Sequence, residues 1–209
     1  EVRTAPAALI PLTPAVLLAA CTKDGSLQLV KEAPETRWRM ITTDQDRERL
    51  RNWRKAWVAA LPEARKTDAA AIAEQGALFE PDRALDRAMP PAGDYKCRTF
   101  KLGGQRPEMR SFSAFPWFSC RIGQGDLPSF AALDGVQRPM GKIYAESETR
   151  VIFLGALELG DETIPLIYGQ DRKRDMAGYI ERVGAGRWRL VLPWPTFESQ
   201  IDVIELVPA

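Results

Sequence analysis

Carboxylates and cysteines are the side chains of this sequence best equipped for acid–base or covalent work, because the chain contains no histidine. Without imidazole, Ser-His-Asp and Cys-His catalysis, histidine-ligated zinc and the commonest general base all drop out. Paired carboxylates can still hydrolyse a glycosidic bond, one as acid and the other as base or nucleophile. Glu146, Glu148, Asp161, Glu162, Glu181, Glu198, Asp202 and Glu205 are available for that role. No spacing selects a pair among them. Most stand at turns or alternate with apolar residues, which is the pattern of a solvated outer face. Neither Ser-x-x-Lys nor Gly-x-Ser-x-Gly occurs, so a serine nucleophile has no supporting motif. The expectation is a protein that is not an enzyme, with no cofactor and no metal site.

The three cysteines divide by position. Leu18-Ala19-Ala20-Cys21 closes an apolar run that begins near Ala8, and a leucine with two small residues before cysteine is how a bacterial lipoprotein signal ends. Pro11 and Pro14 make the competing reading, an Ala-rich core helix, costly. Residues 1–20 are thus read as a removable signal-like segment and Cys21 as the lipidation site. The chain would then sit on the periplasmic side of the bacterial envelope, anchored to the outer membrane through lipid. In that oxidising compartment Cys97 and Cys120 are an even pair able to form a disulfide. Folding back through Gly103-Gly104-Gln105-Arg106-Pro107 brings the two sulfurs together, whereas two thiols alone are too few for structural zinc.

Binding chemistry is carried by less specific features. Asp171-Arg172-Lys173-Arg174-Asp175 is the densest charge group of the C-terminal region. It can grip an anionic ligand or partner at a barrel mouth, or stand as a solvated loop whose acids and bases satisfy one another. Arg138, just after the Asp134-Gly135 turn, fits a strand-end ion pair or a ligand contact. Tyr168, Tyr179, Trp188 and Trp194 can line a cavity or simply fill the core. Arg138, Tyr168, Asp171, Arg174 and Asp175 are therefore the candidate ligand or partner contacts. Net charge is +1, so no overall positive field recommends nucleic acid as a partner.

The elements that must position these residues fall into two regions. With 209 residues, 45% of them hydrophobic, the chain can bury a real core. Residues 21–36 read as a polar tether and 37–94 as a helical segment ending in a Pro- and Gly-rich linker. Thr42 and Thr43 can cap a helix with Asp44 and Asp46 in its first turn, and Gln45 stands three after Thr42 as in a capping box. Leu50, Trp53, Trp57, Leu61 and Ala64 form its apolar face, opposite Arg47, Arg51, Arg54 and Lys55. Asp68 to Gln75 reads as a short helix stopped by Gly76. From 95 to 209, short β-branched and aromatic runs are broken by turn residues. Strands are expected near Tyr95–Leu102, Phe112–Ile122, Ser129–Leu133, Met140–Tyr144, Arg150–Leu159, Thr163–Tyr168, Met176–Val183, Arg187–Leu192 and Ile201–Val207. Short joints make neighbours antiparallel, and closing the sheet removes its edges. The expected fold is α+β, with an N-terminal helical segment packed on an antiparallel, lipocalin-like meander barrel of about eight strands.

Several segments together resemble domain-of-unknown-function family 4893, exported alphaproteobacterial proteins. They are Thr43-Asp44-Gln45-Asp46-Arg47-Glu48-Arg49-Leu50 with Trp53, Gly93-Asp94-Tyr95-Lys96-Cys97-Arg98, Phe118-Ser119-Cys120-Arg121-Ile122 and Leu133-Asp134-Gly135-Val136-Gln137-Arg138-Pro139. Asp175-Met176-Ala177-Gly178 and Trp188-Arg189-Leu190-Val191-Leu192-Pro193-Trp194-Pro195 complete the set. The resemblance runs from about Arg37 to the C-terminus and implies an envelope protein without assigned activity, so it carries no catalytic residue. The functional expectation is a binding module for a small ligand or an envelope protein partner. The alternatives are a periplasmic protease inhibitor and, third, a carboxylate-dependent glycan hydrolase.

Overall fold

The computed structural model describes residues 19–21, 27–29 and 37–209, apart from 161, 163 and 165. Contacts divide the chain into two units, Glu1–Ala33 and Pro34–Ala209. In the first, β1 (Ala19–Cys21) and β2 (Leu27–Leu29) pair antiparallel, with Cys21 opposite Leu27. The remainder of the signal-like segment and most of the tether lie outside the described residues, as does Asp161.

The second unit opens with α1 (Arg37–Ile41), α2 (Asp44–Arg51), α3 (Trp53–Thr67) and α4 (Ala69–Glu74). Thr43, not Thr42, is the N-cap of α2. Its hydroxyl oxygen accepts the Asp46 N–H at 3.2 Å and its hydroxyl donates to the Asp46 carboxylate at 2.8 Å. The reciprocal partner is therefore Asp46 rather than Gln45, because Thr42 is spent closing α1, its hydroxyl donating to the Trp38 carbonyl. The helix breaks at Asn52, so the expected apolar face is shared between α2 and α3: Leu50, Trp57, Leu61 and Ala64 are buried and Trp53 is partly so. Asp68 caps α4 by accepting the Ala71 N–H at 2.9 Å, and Gly76 at φ +51° ends it in a conformation that few other residues adopt.

Eight antiparallel strands then close a barrel in the order β10-β3-β4-β5-β6-β7-β8-β9. They are β3 (Gly93–Gly104), β4 (Phe112–Gly123), β5 (Ser129–Ala132), β6 (Gln137–Ala145), β7 (Val151–Leu159), β8 (Asp175–Gly184), β9 (Arg187–Pro193) and β10 (Ser199–Pro208). The ninth expected strand, Thr163–Tyr168, is corrected: its described residues belong to the connection between β7 and β8. Pro165 explains this, since it has no N–H to give to a ladder paired on both sides. Gly141 and Gly155 face each other across β6 and β7. A Cβ at Gly155 would stand 2.2 Å from the Met140 carbonyl oxygen, so only glycine lets the strands approach this closely.

Alternation sorts the barrel residues into two buried sets. Phe100, Leu102, Ile152, Leu154, Tyr179, Val191 and Val203 pack with Trp57, Leu61 and Ala64, so this set is the outer wall under the helices. Tyr95, Phe130, Ile143, Phe153, Ile180, Leu190 and Ile204 form the lumen. Every residue of β7 from Val151 to Glu158 is buried, as expected for a strand covered on both faces. The solvated outer face expected for the acidic residues is corrected here for Glu181, Asp202 and Glu205, which are all buried. Glu181 and Glu205 alternate with apolar residues on the very face that the helices cover, while Asp202 enters the lumen.

A disulfide ties two neighbouring strands, and an ionic cluster ties the helical segment to the barrel wall. Cys97 and Cys120 form a disulfide with Cα atoms 5.9 Å apart, on a diagonal of the β3–β4 pair: Cys97 faces Phe118 and Cys120 faces Tyr95. Arg189, fully buried on β9, directs Nε and Nη2 to the Glu181 carboxylate at 3.0 and 2.7 Å. Its fork also donates to the carbonyls of Leu78 (2.8 Å), Glu80 (2.9 Å), Pro81 (3.1 Å) and Arg83 (3.0 Å), fastening the segment after α4 to the wall. Among the described residues no helix is long and apolar enough to cross a membrane.

Candidate functional site

A lipocalin-like site would lie inside the barrel, yet the lumen is filled. Phe130 and Phe153 meet edge to face at 6.0 Å between centroids, and Tyr95 and Trp188 at 6.1 Å. A cavity of ≈ 40 Å³ lies at one end, bounded by Lys101, Gln137, Leu157, Asp175, Leu192 and Asp202 among others. That is room for water, not for a sugar ring or a lipid tail. Asp202 accepts the Ser199 hydroxyl and lies 3.6 Å from Lys101 Nζ, which itself reaches Glu198 at 2.7 Å. Burial pushes the Asp202 carboxyl above its ordinary range despite that cation. Asp175 accepts the Gly169 N–H at 2.8 Å through Oδ1, whereas Oδ2 is buried without a hydrogen-bond partner. Burial raises its carboxyl too, and the charges of Asp46 and Asp171 push the same way. Among the described residues no group of three or more His, Cys, Asp or Glu is placed to hold a metal ion.

The other residues singled out from the sequence tie down the β7–β8 connection. Arg138 donates to the carbonyls of Gly135 (3.1 Å), Gly160 and Glu162 (2.8 Å) and pairs with Glu158 at 3.4 Å. Arg174 grips the Glu162 side chain with both arms, at 2.7 and 3.0 Å, and that grip holds the Glu162 carboxyl down at about 2. Tyr168 donates to Asp46 at 2.6 Å and accepts the Thr43 N–H at 3.1 Å, and burial pushes its hydroxyl well above the usual tyrosine range. The Asp171 carboxylate accepts the Lys173 N–H at 2.9 Å. Glu162 thus brings Arg138 and Arg174 together, and Arg174 and Asp175 line the small cavity. Tyr168 docks on the helices instead. Tyr179 and Trp188 are core residues.

An open strand edge was not foreseen. Arg98 faces Trp117 while Phe100 faces Ala114, so β4 carries an extra residue in a bulge at Phe115-Pro116. β5 pairs with β4 only from Cys120 to Gly123. Among the described residues, therefore, no strand pairs with that edge of β4 from Phe112 to Phe118. Ser119 ends the covered part, its carbonyl accepting the Leu133 N–H at 2.8 Å and its N–H directed to the Asp134 carboxylate at 3.2 Å. The two-residue period of a strand turns the N–H and C=O of Trp117 to the same, unpaired side. Around this edge Phe115, Trp117 and Leu133 are about half exposed, and Val136 is 77% exposed. Phe115, Trp117 and Val136, with Thr99, Phe118 and Gln137, line a groove of ≈ 390 Å³. Arg98 stacks over Phe100 at 4.7 Å and lies 5.8 Å from the Trp117 ring, steadying the indole. Phe112-Ser113-Ala114-Phe115-Pro116-Trp117-Phe118 held the signal: proline inside a strand marks an edge or a bulge.

A family model described as a domain of unknown function (DUF4893) matches residues 38–206. No curated protein and no solved structure matches the chain. The matched span begins in α1 and ends in β10, and so takes in the helical layer, the whole barrel and the open edge of β4. This chain belongs to the DUF4893 family of domains of unknown function.

Proposed function

We propose that this protein is a binding module of the bacterial envelope, tethered by lipid at Cys21, that takes a short extended segment of a partner protein along the open edge of β4. The observation that carries this reading is the unpaired edge from Phe112 to Phe118 beside the exposed aromatic groove. Backbone N–H and C=O groups on such an edge give affinity to any extended peptide, and flanking pockets select alternate side chains. The filled lumen favours this over a ligand carried inside the barrel, and exposed apolar surface of this kind commonly marks a protein contact. Protease inhibition draws less support, since α1–α4 are docked rather than projecting. Glycan hydrolysis draws less as well, because the acids of the barrel mouth adjoin a cavity sized for water. The test is selection of a random displayed nine-residue peptide library on the folded protein. The expected binders have alternating apolar residues, slow amide exchange at Trp117, and lose binding to Trp117→Asp. Absence of enrichment, or binders indifferent to Trp117→Asp, would overturn the proposal.

A further inference from the structure

A second concavity, of ≈ 430 Å³, lies between the helices and the barrel wall and shares no lining residue with the β4 groove. That is the size of ordinary small-molecule sites. Leu50, Ile152, Trp53 and Tyr179 give it an apolar, largely aromatic lining. Trp38, Arg39, Arg47, Arg51, Glu146 and Arg150 complete it, so four guanidiniums and one carboxylate face one small volume.

The charge balance is decided by Arg150. Arg39 pairs with Glu146 at 2.6 Å, Arg47 with Asp44, and Arg51 with Glu48 at 2.8 Å; the last two pairs lie on the solvated surface, where such contacts exchange readily. Arg150 donates through Nε and Nη2 to Glu181 Oε1 at 2.9 and 2.5 Å, but Oε2 of the same carboxylate is taken by Arg189. One buried acid therefore serves two cations. Arg189 is sealed from solvent, while the Arg150 side chain keeps 24% of its surface and lines the pocket. The Arg150 guanidinium lies 4.2 Å from the ring centroids of both Trp53 and Tyr179, which fixes it before any ligand arrives.

We propose that this pocket binds a small amphipathic organic anion, a carboxylate or phosphate ester on a planar apolar body. The anionic group meets Arg150 with Arg47 and Arg51 at the rim, and the body lies against Trp38, Trp53 and Ile152. A charge-assisted hydrogen bond to a guanidinium already held in place is the stronger kind, and it discriminates against a neutral isostere.

The experiment titrates the folded full chain with 2-naphthoate, 2-naphthylmethanol and 2-naphthylmethylammonium, read by tryptophan emission and by NMR of the indole N–H groups. Naphthoate is expected to saturate the Trp38 and Trp53 signals. The alcohol should bind about tenfold more weakly and the ammonium more weakly still, and added salt should weaken naphthoate. Arg150→Gln should cost about tenfold in naphthoate affinity. The surface pair Arg47→Gln with Arg51→Gln, which leaves the buried network untouched, should cost several-fold. Trp117→Ala should change nothing, which separates this site from the β4 groove. Equal affinity for the three probes, no saturable binding, or naphthoate affinity that survives the Arg47→Gln, Arg51→Gln pair would each overturn the proposal.

Discussion

Replacing Arg189 by methionine, which is of comparable length and fits an apolar wall, removes a side chain that makes six hydrogen bonds in full burial. Two of these reach Glu181 and four reach main-chain carbonyls between Leu78 and Arg83. Glu181 does not become unpaired, because Arg150 still reaches Oε1, but Oε2 and four carbonyls lose their donors. Breaking a buried ion pair from one side costs about 3–5 kcal/mol, a large part of the roughly 5–15 kcal/mol that keeps a domain folded. For a chain of this size that corresponds to a fall of about 6–20 °C in Tm. Urea and thermal unfolding followed by circular dichroism would read both quantities. Arg189→Lys should fall between, since an ammonium keeps the charge but has three donors and no fork. Adding Glu181→Leu to Arg189→Met should recover part of the loss, because the buried carboxylate is then gone and Arg150 can turn to solvent. A loss below about 1 kcal/mol for Arg189→Met, far under that range, would show that the segment after α4 is held by its apolar contacts alone, and the reasoning from the carbonyl cluster would fail.

Asp175→Asn tests the buried acid at the barrel mouth. Because the folded-state value of Asp175 lies above its ordinary 3.8, the folded chain retains a proton that the unfolded chain has released, so ionisation removes stability as pH rises past 3.8. The variant should therefore be more stable than wild type at neutral pH, with the gap closing below 3.8; a gap that is independent of pH would refute the assignment. Cys21→Ser tests the anchor in a chain expressed with its complete reading frame in a bacterium. Wild type should fractionate with membranes and the variant should be released or unprocessed, whereas identical soluble behaviour would end the lipoprotein reading.

The barrel was legible because its signal is local. Strand runs such as Arg187–Leu192 and Met176–Val183 are short, mostly apolar and bounded by turn residues, and Gly135, Gly160 and Gly186 sit at turns with positive φ, as their turn chemistry requires. The disulfide followed from two cysteines on one hairpin. What could not be read was which wall the helices would cover. Alternation says that Glu181, Arg189 and Glu205 share a face of the sheet, and such a face is usually wet. Covering it turns the same pattern into a buried ionic layer, and that decision depends on long-range packing of Trp57, Leu61 and Ala64 rather than on any neighbour in sequence. The candidate contacts have partners within the chain. Arg138, Arg174 and Asp171 are charged and lie near a barrel mouth, but their partners, Glu162 and the loop carbonyls, lie close enough in the chain to satisfy them first.

The same covering decision explains why the aromatic groove remains. The helical layer packs on β3, on β7 to β10 and on Phe112 at the start of β4, and Phe115, Trp117, Leu133 and Val136 stand outside the cluster it covers. Phe115, Trp117, Leu133 and Val136 are exposed there because the chain has nothing further to bury them. A long, flat and apolar edge would invite pairing with a second copy of the chain. The bulge at Phe115-Pro116 guards against that outcome, because the extra residue breaks the register that a full strand would need. A short segment seated around Trp117 does not have to span it. On the proposed reading, the edge disfavours pairing with a second copy while its aromatic side chains stay exposed to a brief extended partner.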